Sequence, residues 1–183
     1  VPTCGESYTI MTATTVTGTF ATINYPALPA GMSWNIQYNP TSVVLSISGT
    51  PTATATPASQ TTCSGTAITT IVLSGSPVAG TVYNWTRDNT VAVTGIAASG
   101  SGDISGTLTN TTAAPVTVTF TITPVSGTCT GAAITATVIV NPTPTVNAVA
   151  SETVCNNSAT TAVTFSGAVA GTVFNWTNTN TAI

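Results

Sequence analysis

Val116-Thr117-Val118-Thr119-Phe120-Thr121-Ile122-Thr123 alternates apolar and hydroxyl side chains without a break. In an extended chain, period two puts Val116, Val118, Phe120 and Ile122 on one face and four threonines on the other. Ile134, Ala136, Val138 and Val140 repeat the pattern against Thr135, Thr137 and Ile139. Further outward, Ala67 to Leu73, Thr81 to Thr86, Val91 to Val93 and Ile104 to Asn110 read as short strands separated by Gly, Ser and Pro turn signals. No capped stretch of helical period appears. About seven such strands argue for an all-β chain built on a β-sandwich.

A repeat sets the size of the unit. Val82-Tyr83-Asn84-Trp85-Thr86 returns as Val173-Phe174-Asn175-Trp176-Thr177, an offset of 176 − 85 = 91. Cys63 and Cys155 are offset by 155 − 63 = 92, and Ser74 to Thr81 has a near copy in Ser166 to Thr172. Two markers at nearly one spacing predict tandem immunoglobulin-like sandwich modules of about ninety residues, preceded by a short β-rich segment. The expected organisation is a β-rich segment over 1–50, ending a preceding domain, and a complete sandwich over 52–142. The first part of a second, incomplete copy then occupies 146–183. Pro-Thr stretches at 48–60 and 141–145 read as extended, stiff connections. Within the first segment, Tyr8–Met11, Thr19–Ile23, Met32–Tyr38 and Val43–Ile47 read as strands. Val1-Pro2-Thr3-Cys4 reads as the middle of a polypeptide, and a half module would leave Phe174 and Trp176 to be covered from elsewhere.

Charge narrows function more than hydrophobicity does. Of 183 residues only 3% are charged: Arg87 alone is basic, the acids are Glu6, Asp88, Asp103 and Glu152, and there is no His. General acid–base catalysis draws on His or paired carboxylates, and these acids are scattered, so no enzyme activity is expected. One Arg cannot displace the counterions of a nucleic acid, nor form a polybasic membrane patch. No apolar run approaches the eighteen or so residues of a membrane helix. A metal site is not expected, with no Cys-x-x-Cys pair and no His to complete a zinc set, and no cofactor is expected either. About a quarter of the chain is Thr, a β-branched residue that suits strands and wets a surface without charge. Low charge leaves little colloidal repulsion, which fits a tethered extracellular polypeptide better than a free cytosolic one.

Cys4, Cys63, Cys129 and Cys155 are the cysteines. Cys63 and Cys129 fall in the complete module and are expected to bond to each other in an oxidising compartment; the alternative is four free buried thiols. Cys155, as the copy of Cys63, would need a partner near position 129 + 92 = 221, and Cys4 has no evident mate. Trp85 and Trp176 are read as core plugs between the sheets, in preference to exposed platforms for a sugar ring. Tyr83, on the same strand face as Trp85, favours the core reading. Arg87 and Asp88 read as an exposed turn pair. Tyr83 and Arg87 are nevertheless the candidate ligand contacts if the chain binds a glycan.

Several stretches resemble a known family. Val154-Cys155-Asn156-Asn157-Ser158, Val163-Thr164-Phe165-Ser166-Gly167 and Gly171 to Asn178 are similar to the PKD-like, immunoglobulin-like repeats of very large bacterial surface proteins. So are Pro115 to Pro124, Cys129-Thr130-Gly131 and Val138 to Pro142. The resemblance implies tandem modules in gliding-type adhesins and other cell-surface polypeptides exported by the type IX system. Unlike in antibody-type domains, Cys63 and Cys129 lie outside the strand centres, so their bond would clip loops at one end. Residues 1–50, through Gly18-Thr19-Phe20, Leu28 to Trp34 and Ser42 to Ile47, resemble the closing segment of β-helical surface proteins, which implies further β-structure before Val1. The expected role is a non-catalytic structural module of a secreted bacterial surface or filament protein, a stalk or spacer in adhesion or fibre assembly. The alternative is a carbohydrate-binding module of a larger adhesin or enzyme. Expected partners are neighbouring modules of the same polypeptide, with identical subunits in a filament and glycans as further candidates.

Overall fold

A computed structural model describes residues 1–179 and contains strands and turns but no helix among them. The first three strands, β1 (Ser7–Thr12), β2 (Met32–Tyr38) and β3 (Ser42–Gly49), form one antiparallel sheet in the order β1-β3-β2. It buries Val43 and Ile47. This sheet replaces the expected turns of a β-helix, whose strands are parallel. Thr19–Ile23 is not a strand. Side chains of β2 hold residues 20–26 instead: the Phe20 amide donates to the Tyr38 hydroxyl at 3.0 Å, and the Trp34 indole donates to the Pro26 carbonyl at 2.9 Å.

From Thr54 onward the chain builds a two-layer sandwich. Its strands are β4 (Thr54–Thr56), β5 (Ser59–Cys63), β6 (Val72–Ser74), β7 (Val82–Arg87), β8 (Val93–Gly95), β9 (Ser99–Ser101), β10 (Leu108–Asn110), β11 (Val116–Ser126), β12 (Cys129–Thr130) and β13 (Ile134–Asn141). One layer has the order β5-β13-β11-β7-β9, with β12 folding back on β11. The other layer consists of the pairs β4-β6 and β10-β8. Bridges at Ala67↔Thr107 and Ile71↔Ile104 join those two pairs. The stretch read as a stiff linker thus contributes two strands: β4 belongs to one layer and β5 pairs in parallel with β13 in the other.

The alternation seen in the sequence governs the packing. Val118, Phe120 and Ile122 of β11 are fully buried, as are Val138 and Val140 of β13, while Thr121 and Thr135 face outward. Ile71, Ile104, Leu108 and Val93 meet them from the facing layer. Burying each such side chain contributes about 1.5–3 kcal/mol, which makes this sandwich the main core of the described residues.

Residues 142–179 form no strand, although they repeat local geometry of the sandwich. In Cys63-Ser64-Gly65-Thr66 the Thr66 amide donates to the Cys63 carbonyl at 3.1 Å, and in Cys155-Asn156-Asn157-Ser158 the Ser158 amide donates to the Cys155 carbonyl at 3.0 Å. The third residue of each turn has positive φ, 79° at Gly65 and 63° at Asn157. The Thr81 hydroxyl donates to the Val78 carbonyl at 2.7 Å, and the Thr172 hydroxyl donates to the Val169 carbonyl at 2.7 Å. What is absent is the ladder. β7 is paired on both edges, by β11 and β9, whereas Val173–Thr177 has no neighbouring strand. Trp176 is therefore 71% exposed rather than a core plug. Phe174 is half-buried and stacks on Phe165 at 6.0 Å. Asn180–Ile183, the end of the expected second copy, lie outside the described residues.

Candidate functional site

β7 carries most of the residues singled out in the sequence. Trp85 is 8% exposed and packs edge-on to Phe120, with ring centroids 5.7 Å apart. Its indole N–H donates to the Gly102 carbonyl at 3.1 Å, so the one polar atom of the ring is satisfied inside the fold. A Cβ on Gly100 would fall 2.4 Å from Trp85 Cζ2; only a glycine lets β9 lie flat on the indole. Tyr83 packs against the same core, and its hydroxyl accepts the Ser76 amide at 3.2 Å.

Arg87 and Asp88 do not form the exposed turn pair expected of them. Arg87 Nε donates to the carbonyls of Ile96 at 2.8 Å and Ala97 at 3.2 Å, and Nη1 reaches that of Val93 at 3.0 Å. The guanidinium thereby holds both ends of β8 against β7. Burial lowers its pKa, partly opposed by the neighbouring charge of Asp88. Asp88 Oδ1 accepts the Thr119 amide at 2.7 Å. Asp103, for which the sequence suggested no role, accepts the Leu73 amide at 2.8 Å beside the Ile71↔Ile104 bridge, and so reinforces the join between β6 and the 104–108 stretch.

Beside β7, an open groove of about 410 Å³ is lined by Asn84, Trp85, Thr86, Thr121 and Thr123 with Ser99, Gly100 and Ser101. Its lining combines hydroxyl and amide groups with part of the Trp85 ring, without a charged group. No cluster of three or more His, Cys, Asp or Glu side chains that could hold a metal exists among the described residues. Among them too, no helix is long and apolar enough to cross a membrane.

The cysteines correct the sequence reading. Cys129 is bonded to Cys4, with Cα atoms 5.7 Å apart, while Cys63 and Cys155 are free and exposed. Cys63 sits opposite Asn141 at one end of β13, and Cys129 lies beyond Ile134 at the other. Seven residue steps of strand separate those ends by about 23 Å, against the roughly 4.4–6.8 Å between Cα atoms that a disulfide needs. The expected clip within one end of the sandwich is geometrically closed to Cys63.

The Cys4–Cys129 bond instead fastens the first sheet to the sandwich. Around it, the Thr128 amide donates to the Cys4 carbonyl at 3.1 Å, and the Ala79 amide donates to the Ala30 carbonyl at 3.2 Å. Gly127, with φ 56°, lets that Cys4 carbonyl approach; a Cβ there would lie 2.3 Å from it. Val78, 3% exposed, fills the joint beside Gly49 and Cys4. From the sandwich side, the buried Ser126 hydroxyl donates to the Ala79 carbonyl at 2.8 Å. Repeat spacing located cysteines inside the module, and it carried no signal for a partner 125 positions away in another sheet.

No curated protein and no solved structure matches the chain. Residues 60–144, which run from β5 through β13, match the family model described as the PKD-like domain, a non-catalytic structural or adhesive type of extracellular module.

Proposed function

We infer that the chain is a load-bearing spacer from a secreted bacterial surface or filament protein, in which PKD-like sandwiches follow one another in tandem. The joint between the first sheet and the sandwich carries this reading. Two β-units are fixed end to end by a disulfide, backbone hydrogen bonds and the buried Val78, an arrangement suited to keeping successive units in line under tension. The copy of the Val78–Thr81 turn at Val169–Thr172 supports the tandem arrangement.

Pulling the chain between its termini tests the role. With the disulfide intact, the 125 positions between Cys4 and Cys129 cannot extend. Reduction should therefore release about 400 Å of additional contour length. A glycan screen tests the alternative, a carbohydrate module. The spacer reading expects no saturable binding. Binding that Tyr83→Phe or Arg87→Lys abolishes in a folded chain would overturn it.

A further inference from the structure

We propose that β13 is the tension member of this chain: load entering at Cys4 crosses the disulfide to Cys129, runs along β13 and leaves at Asn141, while residues 5–128 stand outside the load path. The proposal deepens the spacer reading and rests on it. A folded unit placed between two others in one polypeptide is ordinarily in series with them, and tension then acts to pull it open. The covalent connectivity here is different. Cys4 precedes the first strand, β1, and its partner Cys129 precedes the last, β13. Their bond turns everything between them, from β1 to β11, into a closed loop beside a short direct connection.

The position of β13 suits it to that connection. It is an inner strand, paired along Val116–Ile122 of β11 on one edge and along Ser59–Cys63 of β5 on the other. Ala136, Val138 and Val140 anchor it in the core. Load would enter at one end of the strand and leave at the other, so it acts along the strand axis and peels β13 from neither neighbour. The approach to the strand is held as well. The Gly131 amide donates to the Pro124 carbonyl at 2.9 Å, and a Cβ on Gly131 would lie 1.7 Å from the Pro51 carbonyl oxygen. Pro142, just past the exit, is buried. Chain length sets the size of the effect. The stretch from Cys129 to Asn141 can span at most about 43 Å, and β13 already covers about 23 Å of it. Opening the sandwich therefore lengthens the bonded path by less than about 20 Å, against about 400 Å when the bond is absent. Tension favours an open state in proportion to the length that opening releases, so the bond removes most of the force sensitivity of the sandwich.

The test uses the full chain with Cys63→Ser and Cys155→Ser, oxidised at Cys4–Cys129 and held under constant tension with trypsin present. Trypsin has a single site, Arg87, which is half-buried in β7 and becomes open to cleavage when the sandwich opens. A cut there leaves the bonded tether whole, so it is read afterwards. Reductant in denaturant parts every tether that was cut and lengthens every tether that was not. Two loading geometries are compared. In one, handles sit at the two termini. In the other, the second handle is moved to Val91→Cys, at a loop residue that is 89% exposed, which draws load through the sandwich while the bond stays closed. With terminal handles, tension should leave the cut fraction unchanged within about twofold, and with the handle at residue 91 tension should raise it at least about tenfold, since cleavage follows the open population. Equal dependence on tension in the two geometries, whether present or absent, would overturn the proposal. Neither result changes the contour length released on reduction, which tests the spacer reading, so the two fail separately.

Discussion

Replacing either end of the Cys4–Cys129 bond should be among the most damaging single changes in this chain, and replacing Cys63 among the least. The bond closes a loop with a sequence separation of 125. In the chain-entropy account, cross-linking at that separation stabilises the folded state by about 5 kcal/mol at 25 °C. Cys4→Ser also leaves a hydroxyl where Cys4 is 1% exposed, which adds to the loss. Cys63 is exposed and unbonded, so Cys63→Ser should fall within about 0.5 kcal/mol of the parent. Guanidinium denaturation of the oxidised chain, followed by Trp fluorescence, measures all three. The bridged chain should also show a smaller m-value than the Cys4→Ser and Cys129→Ser chains, because its unfolded state is more compact. Two results would refute the reasoning. One is a Cys63→Ser chain as destabilised as Cys129→Ser. The other is a Cys63–Cys129 peptide in a non-reducing digest made with a non-specific protease, trypsin having a single site at Arg87.

Trp85→Ala should cost roughly 3–5 kcal/mol, measured by the same denaturation; a loss under about 1 kcal/mol would mean the indole is not a core element. Gly100→Val pushes a side chain into the indole and should cost about 1–3 kcal/mol. That penalty should shrink in a Trp85→Ala background, and a double-mutant cycle without coupling would contradict the packing. Hydrogen bonds from Tyr8 first, then from Thr3, hold the Glu6 carboxyl below the usual carboxylate range. A depressed folded value means the interaction is complete above the unfolded value of about 4.3 and is lost as pH falls through the lower folded one. In an NMR titration the Glu6 midpoint should rise toward that unfolded value in Tyr8→Phe.

The parts of the fold that were legible in the sequence are those where side-chain alternation and pairing agree. β11 and β13 carry an unbroken period of two and are the central pair of the larger layer, so local pattern and position coincide. β4 was hidden because Thr-Ala-Thr-Ala-Thr-Pro has no apolar alternation of size, and β5 because Ser-Gln-Thr-Thr-Cys has no large apolar residue at all; backbone pairing alone makes those residues strands. Thr19–Ile23 misled in the opposite way, having strand-forming residues with no ladder partner. Trp85 and Trp176 show the same limit within one motif. The five-residue stretches are nearly identical, and their exposures differ because burial of the first is conferred by Gly100, Phe120 and Ile122, which lie outside the motif. The Cys4 pairing was unreadable for a related reason, since a bond between units leaves no mark on the spacing within either one.

The use made of the few charges bears on function. Arg87 grips carbonyls at and just after β8, Asp88 holds the Thr119 amide, Asp103 the Leu73 amide, Glu6 the Tyr8 and Thr3 hydroxyls, and Glu152 the Thr161 amide. Each ionisable side chain with charge at neutral pH is thus committed to a tie within its own unit, and most of these ties are to backbone. Charge-assisted hydrogen bonds to backbone groups are stronger than neutral ones, and five scattered charges are few for steering a partner. Recognition by such a surface has to come from shape, backbone edges and apolar contact. In these residues those features are concentrated at Val78 and Cys4, where the first sheet meets the sandwich, and at the exposed Trp176 in the segment that follows the sandwich. On the spacer reading proposed above, such a chain directs its specificity along its own axis.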